Sequence, residues 1–268
     1  MPHLALIGAG NMAEAIANGV ISSGVLTADQ IIAADPSAAR LSLFAGLGIE
    51  TIPANCDAAQ NADVVMLCTK PQKMPDVLME LRSILREQQL IITIAAGIST
   101  AFIEKGLDAS RAWRVVRVMP NTPMLYGQGA TAICAGRAAT NDDLQLTRRL
   151  FESASTVVDV DESVMDTVTA VSGSGPAYFF YLVEHMIEAA TQLGLSPLQA
   201  QQLVYQTAAG AAKMLMESTD SPAELRKKVT SPGGTTHAAL EVFAAGNVGA
   251  TIQKAIAAAQ RHGRELGR

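Results

Sequence analysis

Short, nearly all-apolar runs alternate with helical patterns from residue 1 to about 160, and this alternation restricts the fold more than any other feature of the chain. Leu4–Ile7, Ile31–Ala34, Val64–Cys68, Leu90–Ala95 and Arg114–Val118 read as strands, with Thr131–Cys134 and Thr156–Val160 as later ones. Runs this short with so few polar interruptions suit a parallel sheet covered on both faces. The helical patterns between them, such as Met12–Ser23 and Asp76–Leu85, supply the crossover connections. Pro71, Pro75, Pro120 and Pro123 lie just past strand ends, where loops at the carboxyl edge of a sheet gather ligands.

From about Glu162 the pattern is helical only. Pro176–Leu193 carries Phe179, Leu182, Val183, Met186, Ala190 and Leu193 at helical spacing, and Phe180, Tyr181 and Ile187 widen the apolar surface beyond one stripe. Such a helix must be covered on more than one side. Ser196-Pro197 marks the start of the next helix, whose expected buried stripe is Leu203, Val204, Thr207, Ala208, Ala211, Met214 and Leu215. Ser221-Pro222-Ala223-Glu224 is a capping box, opening a helix that should end near Thr230. Two final helices, about 236–245 and 249–265, are separated by Gly246-Asn247. This much helix with surplus apolar surface points to a dimer core.

The chain is 49% apolar and 17% charged, with a net charge of −5 and no basic run, which argues against nucleic acid as a partner. Cys56, Cys68 and Cys134 have no metal-ligand spacing, and Cys68 sits in an apolar run as a buried thiol would. An odd cysteine count without a signal peptide suits the cytoplasm. No apolar run approaches the ~20 residues needed to span a bilayer.

The turn after the first strand is Gly8-Ala9-Gly10-Asn11-Met12-Ala13. Gly8 makes the bend, Gly10 admits a pyrophosphate close to the backbone, and Ala13 lets helix pack on strand. Asp35 ends the next strand, where a ribose-binding carboxylate is expected. It would accept hydrogen bonds from the ribose of NAD and repel a 2′-phosphate, whereas Ser37 and Arg40 would serve a phosphate if Asp35 turned away. Asp35-Pro36-Ser37 also reads simply as a helix cap. Lys70-Pro71 ends the third strand as either a phosphate or ribose contact or a solvated loop lysine, and Met119–Pro123 forms a rigid loop that borders the nicotinamide or merely turns the chain.

A second glycine turn, Ser231-Pro232-Gly233-Gly234-Thr235-Thr236, opens a helix near the other end. Gly233 and Gly234 permit close approach of a carboxylate, the Thr235 amide and Ser231 hydroxyl add donors, and Thr236 lies within reach of whatever the carboxylate anchors. Alone, the same residues would be a loop and a cap. The histidines are His3, His185, His237 and His262, with no readable His/Asp pair, and the helix around Lys213 lacks the lysine-asparagine pattern of β-hydroxyacid dehydrogenases. Carbonyl reduction needs a proton donor to the developing alkoxide. A protonated imine accepts hydride directly, so a site of hydroxyls and amides suits an iminium carboxylate.

Across its whole length the chain resembles the pyrroline-5-carboxylate reductase family. The landmarks are Ile7–Met12, Thr69-Lys70-Pro71-Gln72, Ala95-Ala96-Gly97-Ile98, Met119–Pro123, Ser172-Gly173-Ser174-Gly175-Pro176-Ala177-Tyr178 and Val229–Ala238. The resemblance implies an N-terminal Rossmann-type doubly wound α/β domain, residues 1–160, and an all-α helical dimerisation and substrate-binding domain, residues 161–268. It implies reduction of L-Δ1-pyrroline-5-carboxylate to L-proline with NADPH or NADH, and a homodimer, in many relatives assembled into a decamer of five dimers. The family pattern places the cofactor on Gly8, Ala9, Gly10, Asn11, Met12, Asp35, Asn55, Cys68, Thr69, Lys70, Pro71 and Ala96. It places the substrate carboxylate at Ser231, Gly234 and Thr235, and the Thr236 hydroxyl on the ring nitrogen; Glu162 is a further substrate position, or else a helix-start carboxylate. The implied active site combines the nucleotide domain of one subunit with helices of its partner. Relatives often carry serine or threonine at the position of Asp35, which leaves the choice between NADPH and NADH open, and Thr235 stands as an alternative to Thr236 for the nitrogen contact. Two rival readings remain: a reductase for another small acid, and a dinucleotide-binding regulator without catalysis.

Overall fold

The computed structural model describes residues 3–266. Contacts gather these into two compact units, residues 3–174 together with 257–266, and residues 175–256.

The first unit runs β1 (Leu4–Ile7), α1 (Asn11–Ser22), β2 (Ile31–Ala34), α2 (Ala38–Gly46), β3 (Glu50–Ile52), α3 (Asn55–Gln60), β4 (Val64–Leu67), α4 (Met74–Leu81), β5 (Leu90–Thr93), α5 (Thr100–Asp108), β6 (Arg114–Met119), β7 (Gly129–Ala135), α6 (Asn141–Glu152), β8 (Ser155–Asp159) and α7 (Met165–Val168). The strands make one eight-stranded sheet in the order β3-β2-β1-β4-β5-β6-β7-β8. Period-two alternation sends successive side chains to opposite faces. Leu4 and Leu6 join Ala13, Ile16 and Val20 of α1 and Phe151 of α6 on one face. Ala5 and Ile7 join Leu78 of α4 and Ile103 and Leu107 of α5 on the other. Strands β1, β4 and β5 are buried at every position, as a sheet covered on both faces requires.

Two features depart from the expected sheet. Glu50–Ile52 is an additional strand, paired with β2 at the sheet's edge and only partly buried, so it lacks the apolar run that marks the others. Strand β7 runs antiparallel to β6, and β8 runs parallel to β7. The β6–β7 link, residues 120–128, is too short for a parallel crossover, which takes roughly a dozen residues or more.

Trp113 lies fully buried immediately before β6, its Nε1–H donating to the Asp108 carbonyl at 2.9 Å and the Arg111 guanidinium stacked 4.2 Å from its ring centroid. The Asp143 side chain, 1% exposed, caps α6 through Thr140 and takes both an Nε bond (3.0 Å) and a second contact from Arg114. Burial pushes this carboxyl up, but the bonds from Arg114 and Thr140 outweigh it and hold it below the usual aspartate range.

The second unit holds α8 (Gly175–Gln192), α9 (Pro197–Glu217), α10 (Pro222–Lys228), α11 (Thr235–Ala245) and most of α12 (Val248–Leu266). The capping boxes at Ser196 and Ser221 form as their sequences require, and Asn247 turns the chain between α11 and α12 in the left-handed conformation at φ 52°. Gly175, Ala200 and Val204 are its only buried residues among those described. The expected stripe on α9 is therefore covered at Val204 alone, while Leu203, Met214 and Leu215 are exposed. The end of α12 belongs to the first unit, where Gln260 donates to Thr167 Oγ1 at 2.5 Å and Arg264 approaches Asp166 at 4.0 Å.

Candidate active site

The sheet order reverses between β1 and β4, where a doubly wound fold opens its ligand crevice. Gly8, at φ +101°, leaves β1 in a conformation that glycine favours, and a Cβ there would stand 3.1 Å from the Cys68 backbone. A Cβ on Gly10 would meet nothing within 4 Å, so space lies open above the start of α1. Gly10 is the N-cap of α1 and offers no side-chain cap, leaving the first-turn N–H groups of Asn11, Met12 and Ala13 without helical acceptors. Ala13 is fully buried against the sheet. Open space facing unpaired donors at a helix N-terminus fits a pyrophosphate.

Asp35 does not turn away from this turn. Its Oδ2 accepts the Ala9 N–H at 2.9 Å and its Oδ1 the Ser37 N–H at 2.8 Å. Each oxygen keeps a lone pair for a ribose hydroxyl. The Ser37 hydroxyl accepts the Arg40 N–H at 3.4 Å and caps α2, so the capping role is realised together with the contact to the glycine turn. Arg40 donates from Nε to the Ala9 carbonyl at 2.5 Å and from Nη2 to Glu14 at 2.7 Å.

Across the crevice, the Cys68 N–H bonds the Ile7 carbonyl at 2.8 Å, and burial pushes the thiol well above its ordinary range. Thr69 Oγ1 is buried without a hydrogen-bond partner, and its methyl lies 3.2 Å from where a Gly8 Cβ would stand. An orphaned hydroxyl beside the turn fits a bound polar ligand. Lys70 is exposed and precedes the short 3-10 turn begun by Pro71. Asn55 opens α3 and donates its amide to Glu80 at 2.9 Å, while Ala96 sits partly buried between β5 and Gly97, at φ +78°.

In the second unit Gly233 takes φ +70° and the Gly234 N–H closes a turn onto the Ser231 carbonyl at 3.0 Å. Gly234 thereby spends its own donor and becomes the uncapped N-cap of α11. The donors this turn presents are the N–H groups of Thr235, Thr236 and His237. Ser231 and Thr235 are exposed and Thr236 is half-buried. His237 pairs with Glu241 at 3.5 Å.

Glu162 accepts from the Thr100 N–H and the Thr100 hydroxyl, both at 2.7 Å, and lies 3.6 Å from Arg117. Its carboxylate thus caps α5 from a distant part of the chain. Sequence reasoning missed two groups. Arg117 is 5% exposed and pairs with Asp166 at 3.0 Å; the signal was a cation in the middle of the apolar strand Arg114–Met119, beyond the Arg114 that opens it. Asn121 donates to the Ser172 carbonyl at 3.0 Å and accepts from Ala130 N–H at 2.8 Å, tying the Met119–Pro123 loop to the Ser172–Pro176 motif. Among the described residues, no group of acids, histidines and cysteines could hold a metal, and no helix is long and apolar enough to cross a membrane.

Residues 162–266 match the family model described as pyrroline-5-carboxylate reductase dimerisation, and residues 3–97 match NADP oxidoreductase coenzyme F420-dependent. The chain is 44% identical to a pyrroline-5-carboxylate reductase of Pseudomonas aeruginosa, covering 99% of this chain and 97% of that protein. A solved pyrroline-5-carboxylate reductase of Coxiella burnetii superposes with a TM-score of 0.91 at 39% identity, covering 100% of this chain and 99% of that one. The NADP-bound enzyme of Plasmodium falciparum also gives 0.91, at 27% identity, covering 100% and 98%. Taken with a Rossmann-type sheet, a helical dimerisation domain and the two glycine turns, these likenesses place the chain in the pyrroline-5-carboxylate reductase family.

Proposed function

We propose that the chain reduces L-Δ1-pyrroline-5-carboxylate to L-proline with NADPH or NADH, the final step of proline biosynthesis. The observation that carries this reading is likeness along the whole chain, at 44% identity, to a protein named for that reaction. Two uncapped helix N-termini behind glycine turns support it, because one suits a dinucleotide and the other a small carboxylate.

A reduced nicotinamide cofactor, when bound, would supply a hydride to the ring carbon of the protonated imine. Gly8, Ala9, Gly10, Asn11 and Met12 would hold the pyrophosphate, Asp35 the ribose, and Cys68, Thr69, Lys70, Pro71, Asn55 and Ala96 would border the rest of the cofactor. The amides of Thr235 and Thr236 and the Ser231 hydroxyl take the substrate carboxylate, while Gly233 and Gly234 shape the turn. The Thr236 hydroxyl accepts the N–H of the iminium, fixing the ring and favouring its protonated form. Glu162 is the further substrate position, each of its oxygens keeping a lone pair beside the bond from Thr100. No general acid is required, which accords with the lack of a His/Asp pair.

Residues 161–268 form the dimerising and substrate-binding part and residues 1–160 the cofactor part, working as a cytoplasmic homodimer that assembles further into a decamer of five dimers. Thr236→Ala should lower kcat by about 100-fold, the scale of losing one aimed polar contact. The loss of reduced-nicotinamide absorbance with pyrroline-5-carboxylate measures it, with a thermal melt as the folding control. Wild-type turnover in the folded variant would remove Thr236 from the mechanism. Activity on hydroxy acids but not on the cyclic imine would overturn the substrate.

A further inference from the structure

The Asp35–Arg40–Glu14 cluster beside the first glycine turn bears on which reduced cofactor the chain prefers. We infer that Glu14 is a specificity-determining residue: by pairing with Arg40 it withholds that cation from a 2′-phosphate and makes NADH the preferred cofactor. This rests on the dinucleotide reading of the first turn.

Three observations carry the inference. Asp35 stands at the carboxyl end of β2 with both oxygens fixed by the Ala9 and Ser37 N–H groups, so the carboxylate cannot swing aside without breaking two bonds. It remains able to accept a ribose hydroxyl, but not the oxygens of a phosphate. Arg40 is the cation nearest in sequence after Asp35, in the position from which an arginine reaches a 2′-phosphate in folds of this kind. Its Nε and Nη2, the edge that grips an oxyanion in bidentate fashion, are spent on the Ala9 carbonyl and on Glu14.

Charge points the same way. Two carboxylates and one guanidinium leave the cluster with a net negative charge, and a 2′-phosphate would bring about two more. The Arg40–Glu14 pair is roughly a quarter to a third exposed, so it is neither freely solvated nor locked in the core. NADPH must compete with Glu14 for the guanidinium; NADH leaves the pair intact.

Calorimetric titration of the full-length protein with NADH and with NADPH, in the absence of substrate, tests this without reliance on turnover. The wild type should bind NADH about tenfold more tightly, a difference equal to about 1.4 kcal/mol. Glu14→Gln keeps the side-chain size and removes the charge. It should strengthen NADPH binding about fivefold while NADH changes by less than about twofold, the scale of a partly exposed ion pair. The double variant E14Q/R40Q should lose that gain, because Arg40 mediates it. Tighter binding of NADPH by the wild type, or an equal response of both cofactors to Glu14→Gln, would overturn the inference and leave the reductase reading standing. Binding of neither cofactor by folded protein would overturn both. Tight, NADH-selective binding without turnover of the cyclic imine would sustain the inference and sink the proposed substrate.

Discussion

The two units of this chain treat apolar side chains in opposite ways. In the first, three strands are buried at every position and sealed between two helical layers. In the second, Phe179, Phe180, Tyr181 and Leu182 on α8, and Leu203, Met214, Leu215 and Met216 on α9, lie exposed in the isolated chain. A parallel sheet with helical crossovers closes its core within one chain. Helices apolar on more than one side reach comparable burial only against further helices, and this part of the chain is a dimerisation domain. The first unit therefore closes its core within the chain, and the second, matched by a dimerisation model, leaves apolar helix faces uncovered.

A charge on the second unit's uncovered apolar face should have the largest effect. Phe180→Asp would place a carboxylate where an apolar partner is expected, and an unpaired buried charge costs on the order of 3–5 kcal/mol. Sedimentation should show the dimer dissociation constant raised at least about 100-fold, with a lower, concentration-dependent melt for the helical signal. An unchanged dimer would show that Phe180 lies outside the interface. Leu67→Ala, in a strand with no exposure, should instead cost about 3 kcal/mol whatever the protein concentration. Trp113 belongs to the first unit, so its fluorescence reports that unit while far-UV dichroism reports both. A concentration-dependent Trp113 transition would weaken the contrast.

The smallest effect concerns Asp143. Its folded-state carboxyl is held below the ordinary value, so its stabilisation is present above the unfolded pKa and is lost as pH falls through the folded one. Asp143→Asn should cost about 2 kcal/mol at neutral pH, through loss of the Arg114 pair and a weaker cap. The variant should also show a shallower loss of stability on acidification. Identical acid melts for the two proteins would show that Asp143 does not contribute to that loss.

The contrast also governs how much was legible beforehand. The buried strands were readable because a core closed within one chain writes itself as local apolar runs; Leu4–Ile7 and Ile31–Ala34 match residue for residue. Glu50–Ile52 was not, since a three-residue edge strand with one exposed and two half-buried positions has no such signature. Nor was the reversal of β7, a consequence of link length rather than of any residue in the strand. Helix starts at Ser196 and Ser221 were plain from capping chemistry, yet the α9 stripe could not be assigned to one chain, because helical spacing shows which face is covered and not by what. At the site, both glycine turns were visible from local sequence. The engagement of Asp35 with Ala9, Arg40 with Glu14 and Glu162 with Thr100 joins residues 26 to 62 positions apart, and no local pattern encodes such pairings.

The bond from Gln260 to Thr167 spans 93 positions. A chain emerging from the ribosome can pair β1 with β2 early, but it cannot finish the first unit until α12 has been made. Everything between is the whole helical unit, so this contact forms only after all of that unit has been made. Closing a loop of that length costs only a little more than closing a shorter one, so the delay falls on timing and not on the final balance. Synthesis that stops before residue 257 leaves Asp166 and Thr167 without these partners, so an unfinished chain differs from a finished one on the sheet domain as well as in the helical unit.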